Sequence, residues 1–216
     1  MGQIINDLEQ GIVLWSDVRL PENVMNYLWM IINSPTRTDV IREDGEDLSS
    51  LADFKTDKDD WFFENVMKKE CIEISKEADK FKSPPKFKLE SMWVNHQKQY
   101  EFLPPHRHGT FYSFVVFMKI PTNPEEQHAL PFCKTVPGVH AASDFQFLWG
   151  TTFHTQGVIG HIKTHNIPLC PEDEGRMLIF PSWLFHQVFP FYGTEEERIT
   201  ISGNIILLNI EDYNHA

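Results

Sequence analysis

Two histidines stand one residue apart in Pro104-Pro105-His106-Arg107-His108-Gly109. Side chains alternate along an extended segment, so residues 106 and 108 would offer two imidazoles to one point in space. Imidazole nitrogen suits iron, zinc, copper and nickel. The chain has 10 histidines, so this pair alone is equally compatible with a surface pair beside a turn. A third histidine, His186 in GRMLIFPSWLFHQVFPF, sits between Leu184-Phe185 and Val188-Phe189. So apolar a setting demands a hydrogen-bond partner or a metal for the ring. Alone it reads as a satisfied core residue, and with His106 and His108 it completes a three-ligand set.

Arg198 heads the segment RITISGNIILLNI. Alternation puts Arg198, Thr200, Ser202 and Asn204 on one face, and Ile199, Ile201 and Ile205 on the other. A polar inner row suggests a pocket, where a guanidinium fork can bind a carboxylate through two parallel hydrogen bonds. The alternative is a solvent-facing row, with Arg198 paired to one of Glu195, Glu196 and Glu197.

These residues need elements to position them. Residues 12–18 read as a short strand. ENVMNYLWMIINS repeats Val24, Leu28, Ile31 and Ile32 at helical spacing, with Pro21 at its start and Ser34-Pro35 at its end. Residues 36–57 are polar and acidic and read as a surface loop. A second helix is expected over about 59–82, with Asp59 and Asp60 at its start, Lys80 and Lys82 at its end, and Phe63, Val66, Met67 and Ile74 as its buried stripe. SPPK breaks it. From residue 87 the character changes to short β-branched and aromatic segments, KLESMWVNHQKQY, SFVVFMKIP, FQFLW, RMLIFP and RITISGNIILLNI, punctuated by Pro and Gly. The expected fold is mostly β with N-terminal helices: one domain, with residues 1–86 as strand and support helices and 87–210 as a double-sheet jelly roll.

The bulk composition agrees. A length of 216 residues suits one domain, and 17 Phe with 6 Trp suit a wide aromatic-lined interior. A formal charge of -12 argues against general affinity for nucleic acid backbones. Cys71, Cys133 and Cys170, odd in number and widely spaced, suit reduced thiols in a cytoplasmic setting. MGQIINDLEQ lacks the basic start and apolar run of a signal peptide, and position 6 is Asn where a myristoylation motif wants Ser or Thr. No apolar stretch is long enough to span a membrane.

Taken in order, H-x-H, the strand SFVVFMKIP, G-x-x-x-x-F-P-S-W-L-x-H and Arg198 twelve residues on resemble the catalytic core of the 2-oxoglutarate- and iron(II)-dependent dioxygenases. The similarity spans roughly residues 90–206 and is greatest to the prolyl-hydroxylase-like branch, which includes many proteins of marine bacteria and their phages. It implies a double-stranded β-helix buttressed by helices, Fe(II) as metal, and 2-oxoglutarate and dioxygen as co-substrates. On this resemblance His106 is the first ligand, His186 the distal one, and Arg198 with Thr200 the anchor of the 2-oxoglutarate carboxylate. Asn95 with Trp93 and Gln97 would line the same cavity, and Tyr112 or Ser113 would hydrogen-bond the co-substrate. His108 stands where the family carries a carboxylate. Either it is the third ligand, or a remote carboxylate such as Asp144 fills that place. The substrate, a small molecule or a peptide, is open, as is the oligomeric state. The long insert from Thr122 to Pro171 is expected to frame the substrate entrance, with His154, His161 and His165 as incidental histidines or as ligands. Two other readings share parts of the pattern: a three-histidine cupin-like metalloenzyme that does not use 2-oxoglutarate, and a non-catalytic jelly-roll binding or structural module.

Overall fold

The structure, a computed structural model, describes residues 2–7, 12–38, 53–78, 81–133, 140–150 and 162–213. Among these, two antiparallel sheets carry the chain. The larger is formed by β1 (Gln3–Asp7), β2 (Ile12–Arg19), β3 (Asp53–Phe54), β4 (Phe87–Gln97), β6 (Tyr112–Lys119), β9 (Arg176–Pro181) and β11 (Arg198–Leu207), in the order β1-β2-β9-β6-β11-β4-β3. The smaller is formed by β5 (Leu103–His106), β7 (Phe145–Gly150), β8 (Ile162–Ile167) and β10 (Phe185–Val188), in the order β5-β10-β7-β8. Among the described residues, no helix is long and apolar enough to cross a membrane.

The helices lie on the back of the larger sheet. In α1 (Glu22–Ile32) the buried residues are Val24, Leu28, Ile31 and Ile32, the stripe expected from the sequence. The second helical segment differs from expectation at its start. A 3-10 turn at Lys58–Asp60 and a π-helical turn at Phe63–Met67 precede α2 (Lys68–Ala78). Asp59 and Asp60 adopt left-handed φ of 58° and 52° and stand before the helix. The cap comes from Asp57, whose two carboxylate oxygens accept the N–H groups of Phe62 and Phe63, both at 2.9 Å. Tyr27 of α1 donates its hydroxyl to the same carboxylate at 2.7 Å, so one buried Asp joins both helical segments.

Both faces of β6 and β9 are apolar, because each strand is covered twice. Tyr112, Phe114, Val116, Met118, Met177 and Ile179 face Leu28, Phe62, Met67 and Ile74 on the helical side. Val115, Phe117, Leu178 and Phe180 face Phe145, Phe147 and Leu184 of the smaller-sheet layer. Full burial of each such side chain contributes about 1.5–3 kcal/mol. β11 differs. Ile201 and Ile205 join the helical side, but its other face carries Arg198, Thr200 and Ser202, which cannot form a dry core. The space between the sheets is therefore packed beneath β6 and β9 and open beneath β11 and β4.

Several elements lie outside the sequence expectations. β1 is one of them. β3 lies inside the segment read as loop, where Lys55 and Asp57 are buried. Residues 162–167, read as polar loop, form the edge strand β8. Gly203, in β11, is where sheet and ring meet: a Cβ there would collide with the Ser91 carbonyl oxygen and the Phe114 ring. Gly203→Ala is accordingly expected to destabilise the fold by about 1–3 kcal/mol. The check is a lower urea midpoint at unchanged m-value, and an unaltered midpoint would contradict the packing described.

Candidate metal and co-substrate site

β5 and β10 run antiparallel with His186 directly opposite His106. This register brings the two rings to 4.2 Å between centroids. β5 lies at the edge of its sheet, where the missing N–H groups of Pro104 and Pro105 are tolerated. β5 ends at His106, so strand alternation does not place His108. Its backbone N–H instead donates to the Ser182 carbonyl at 2.9 Å, just beyond β9. The His108 ring then lies 5.3 Å from His106 and 5.4 Å from His186. The three candidate ligand atoms fall within 4.8 Å of one another, close enough to hold one metal ion.

The rings are set up for ligation. His106 Nδ1 lies 2.8 Å from the Pro104 carbonyl oxygen, and His186 Nδ1 lies 3.1 Å from that of Leu184. A carbonyl only accepts, so both Nδ1 atoms carry the proton and both Nε2 lone pairs are left for a metal. Burial, with the neighbouring His106 and His108 rings adding to it, pushes His186 down to about 3. Burial and then His106 push His108 down to about 4. Both rings are thus neutral at physiological pH, the form that ligates. Phe145 and Phe180 flank His186 at 5.8 and 4.8 Å.

Arg198 closes the other end of the site. It is the largest fully buried side chain described, at 1% exposure, and lies over the Phe191 ring at 5.1 Å. Nη2 donates to the Ser143 carbonyl at 2.7 Å and to Ser143 Oγ at 2.6 Å, and Nη1 reaches Gln97 Oε1 at 3.3 Å. Nε has no partner among the described residues. Burial pushes the guanidinium down to about 10, with Asp144 opposing, so it stays charged at neutral pH. The three histidines, Arg198, Thr200, Ser202, Trp93, Asn95, Gln97 and Ser113 all line one cavity of about 730 Å³. Asn95 donates to both Thr200 Oγ1 and Ser202 Oγ at 3.1 Å. Ser113 donates to Asn204 and shares a hydrogen bond with Ser182, which also meets Thr110.

Not every residue expected in the site is there. Tyr112 projects from the opposite face of β6 into the helical side, where its hydroxyl meets Ser75 at 3.1 Å and burial raises its pKa. It cannot reach the cavity, whereas its neighbour Ser113 lines it. Asp144 is fully buried, but its oxygens are taken by His128 at 2.8 Å and Asn166 at 3.0 Å, and it is no part of the three-imidazole group. Arg198 is not paired with Glu195, Glu196 or Glu197: Glu197 meets His96 and Glu196 meets Lys119. Of the insert, α3 (Pro124–Ala129) is tied to the segment before β11, with Gln127 bonded to the Tyr192 backbone in both directions. His165 lies on β8 against Trp15, outside the site, and His154 and His161 lie outside the described residues. Ser143 and Ser182 were not anticipated. A serine in a turn and one after Pro181 carry no sequence signal for these contacts.

The family model described as "Putative 2OG-Fe(II) oxygenase" matches residues 91–204, a span that holds the three histidines and Arg198. The chain belongs to the 2-oxoglutarate- and iron(II)-dependent oxygenase family, and its metal and co-substrate are therefore Fe(II) and 2-oxoglutarate. Among solved structures, a prolyl-4-hydroxylase from Pseudomonas putida is similar at 15% identity over 88% of this chain and 86% of that one, with a TM-score of 0.43. An oxidoreductase of the 2OG-Fe(II) oxygenase family from Burkholderia pseudomallei is similar at 10% identity over 89% and 68%, with a TM-score of 0.39. No curated protein matches the chain.

The geometry predicts how metal binding responds to substitution. Removing any one imidazole, as in His106→Ala, should cost more than the roughly 10–100-fold in metal affinity typical of outer-sphere partners. Tyr112→Phe and Asp144→Asn should leave metal affinity unchanged. Anaerobic titration with Fe(II) or Co(II) measures all three, and metal loss in Asp144→Asn would show that the ligand set is misassigned.

Proposed function

We propose that the chain is a hydroxylase of the 2-oxoglutarate-dependent kind, built on a single double-stranded β-helix domain. In this reading His106, His108 and His186 hold Fe(II), Arg198 with Thr200 anchors 2-oxoglutarate, and the substrate is a small molecule or a peptide. The strand distribution supports the fold. From β4 onward, β4, β6, β9 and β11 fall in one sheet and β5, β7, β8 and β10 in the other.

The observation that carries the reading is Arg198. A guanidinium buried this deeply ordinarily has a carboxylate partner. Among the described residues its direct partners are Ser143 and Gln97, both uncharged, its Nε has none, and it lines the same cavity as the three imidazoles. A dicarboxylic 2-oxo acid supplies what each end lacks. A cupin-like enzyme without 2-oxoglutarate, or a non-catalytic binding module, leaves this buried cation unexplained.

The chain's own residues then have defined tasks. The Nε2 lone pairs of His106 and His186 and a ring nitrogen of His108 bind metal, and the Nδ1 hydrogen bonds of His106 and His186 fix ring orientation. Arg198 holds the far carboxylate. Thr200 accepts from Asn95 and so keeps its own O–H free to donate to that carboxylate. Val115, Phe117, Phe145 and Phe180 exclude water from the floor, while Tyr100, Phe102 and Leu103 form an exposed apolar rim open to substrate. Bound Fe(II) supplies the oxidative decarboxylation of 2-oxoglutarate by dioxygen to succinate and carbon dioxide, coupled to hydroxylation of a substrate C–H bond.

Anaerobic Fe(II) with 2-oxoglutarate should give a weak visible charge-transfer band in the unaltered protein and none in His186→Ala. Arg198→Ala should weaken 2-oxoglutarate binding roughly 10–100-fold, the loss of charge-assisted hydrogen bonds, while metal affinity holds. Equal loss of metal and co-substrate in Arg198→Ala, or no succinate from the aerobic protein, would overturn the reading.

A further inference from the structure

Arg198 heads a strand, and an arginine has enough rotatable bonds to leave a cavity wall unless something holds it. Gln97 and the Phe191 ring hold it loosely, at 3.3 Å and 5.1 Å, and the two shortest contacts come from one residue. Ser143, between β6 and β7, presents both its carbonyl and its hydroxyl to Nη2, at 2.7 and 2.6 Å. It does so from a left-handed backbone, φ 71°, unusual for a residue with a side chain. It is fully buried, and strain retained at a buried polar turn beside a cavity marks a position held for function.

Neighbours fix the turn on every side. The Ser143 N–H donates to the Pro190 carbonyl at 2.9 Å, and its hydroxyl shares a 2.8 Å hydrogen bond with Thr122. Next in sequence, Asp144 is locked by His128 of α3 and by Asn166 of β8. Its carbonyl accepts the N–H of Phe189 at 2.9 Å. The turn is therefore braced by α3, β8 and the segment that leads into β11.

We propose that Ser143 is a positioning residue for the co-substrate, an assignment that rests on the function proposed above. By accepting both hydrogen bonds of Nη2, it fixes the guanidinium at the cavity wall, where its charge serves the far carboxylate of 2-oxoglutarate. Ser143 itself touches no reacting atom. Its effect runs through Arg198 and concerns one end of the co-substrate only.

That one-ended effect separates positioning from general support. Oxalate can chelate a metal as the 2-oxo acid does but has no far carboxylate to reach Arg198. The iron(II)-loaded protein is titrated anaerobically with each anion, and thermal unfolding is recorded in parallel. In Ser143→Ala, affinity for 2-oxoglutarate should fall on the order of 10-fold, the loss of one hydrogen bond to a charged group, with oxalate affinity within ~2-fold of the original. Ser143→Gly also lacks the hydroxyl but relieves the left-handed strain. It should show the same selective loss while unfolding at a higher temperature than Ser143→Ala. Unchanged 2-oxoglutarate affinity in both variants, or a parallel loss for both anions, overturns the assignment. Failure of the unaltered protein to bind 2-oxoglutarate overturns the proposed function first, and this assignment with it.

Discussion

The site depends on one register, that of β10 against β5, which sets His186 opposite His106. A slip by one residue would turn His186 to the outer face and bring Phe185 or Gln187 inward. Packing forbids the slip. Leu184 belongs to the core between the sheets and Val188 packs against it, while Phe185 is 43% exposed and Gln187 bonds Gln146 on the neighbouring strand. On its other side β10 pairs with β7, His186 opposite Phe147, so the apolar residues of β7 reinforce the same alignment. The juxtaposition of His106 and His186 is thus a by-product of hydrophobic alternation in the smaller sheet. The Ser182 carbonyl, at the end of a strand of the larger sheet, adds the third imidazole.

The same packing divides the space between the sheets. Beneath β6 and β9, aromatic and aliphatic side chains close it, and their contacts carry the fold. Beneath β11 and β4, a row of Arg198, Thr200, Ser202, Asn95 and Gln97 keeps it open. The polar residues satisfy one another laterally, Asn95 with Thr200 and Ser202, and Gln97 with Arg198. Lateral satisfaction lets a polar wall stay ordered without filling the cavity. The helices on the back of the sheet make this possible, since Ile201 and Ile205 anchor β11 from behind.

How much of this could be read from the residues follows from which faces carry contrast. β11 alternates polar and apolar, so the row that holds Arg198 is legible in the residue types, whereas its facing a cavity and not solvent is settled by the sheet packing. β6 does not alternate: from Phe114 to Met118 both of its faces are apolar, because the strand is covered on both sides. Its parity is invisible in the sequence, which is why Tyr112 is expected on the wrong face. His106 and His186 are legible as types, His108 by spacing, although a loop hydrogen bond and not strand alternation places it. The Asp57 cap, the Ser143 turn and the bracing by α3 are not legible. They rest on backbone dihedral angles and on contacts between distant segments, which residue types do not encode one by one.

The presence of histidine at 108, where the family pattern calls for a carboxylate, has an electrostatic consequence that ties the two ends of the cavity together. On the proposed function the three imidazole ligands carry no negative charge and so do nothing to offset the charge of a bound dication. Arg198 adds a further positive charge in the same cavity, eased by Asp144, whose oxygens are already held by His128 and Asn166. Like charges in a medium of low dielectric repel strongly, so metal and guanidinium together disfavour an empty cavity. On the proposed function a dianionic acid spanning both removes that repulsion at a stroke. Affinity for the metal and affinity for the acid are then linked, each raising the other by the same factor, as binding linkage requires. A carboxylate at position 108 would have neutralised part of the metal's charge and weakened that linkage. On that reading the imidazole ligand set and Arg198, with no direct carboxylate partner among the described residues, are two halves of one arrangement, in which the protein contributes the positive charge and the co-substrate the negative.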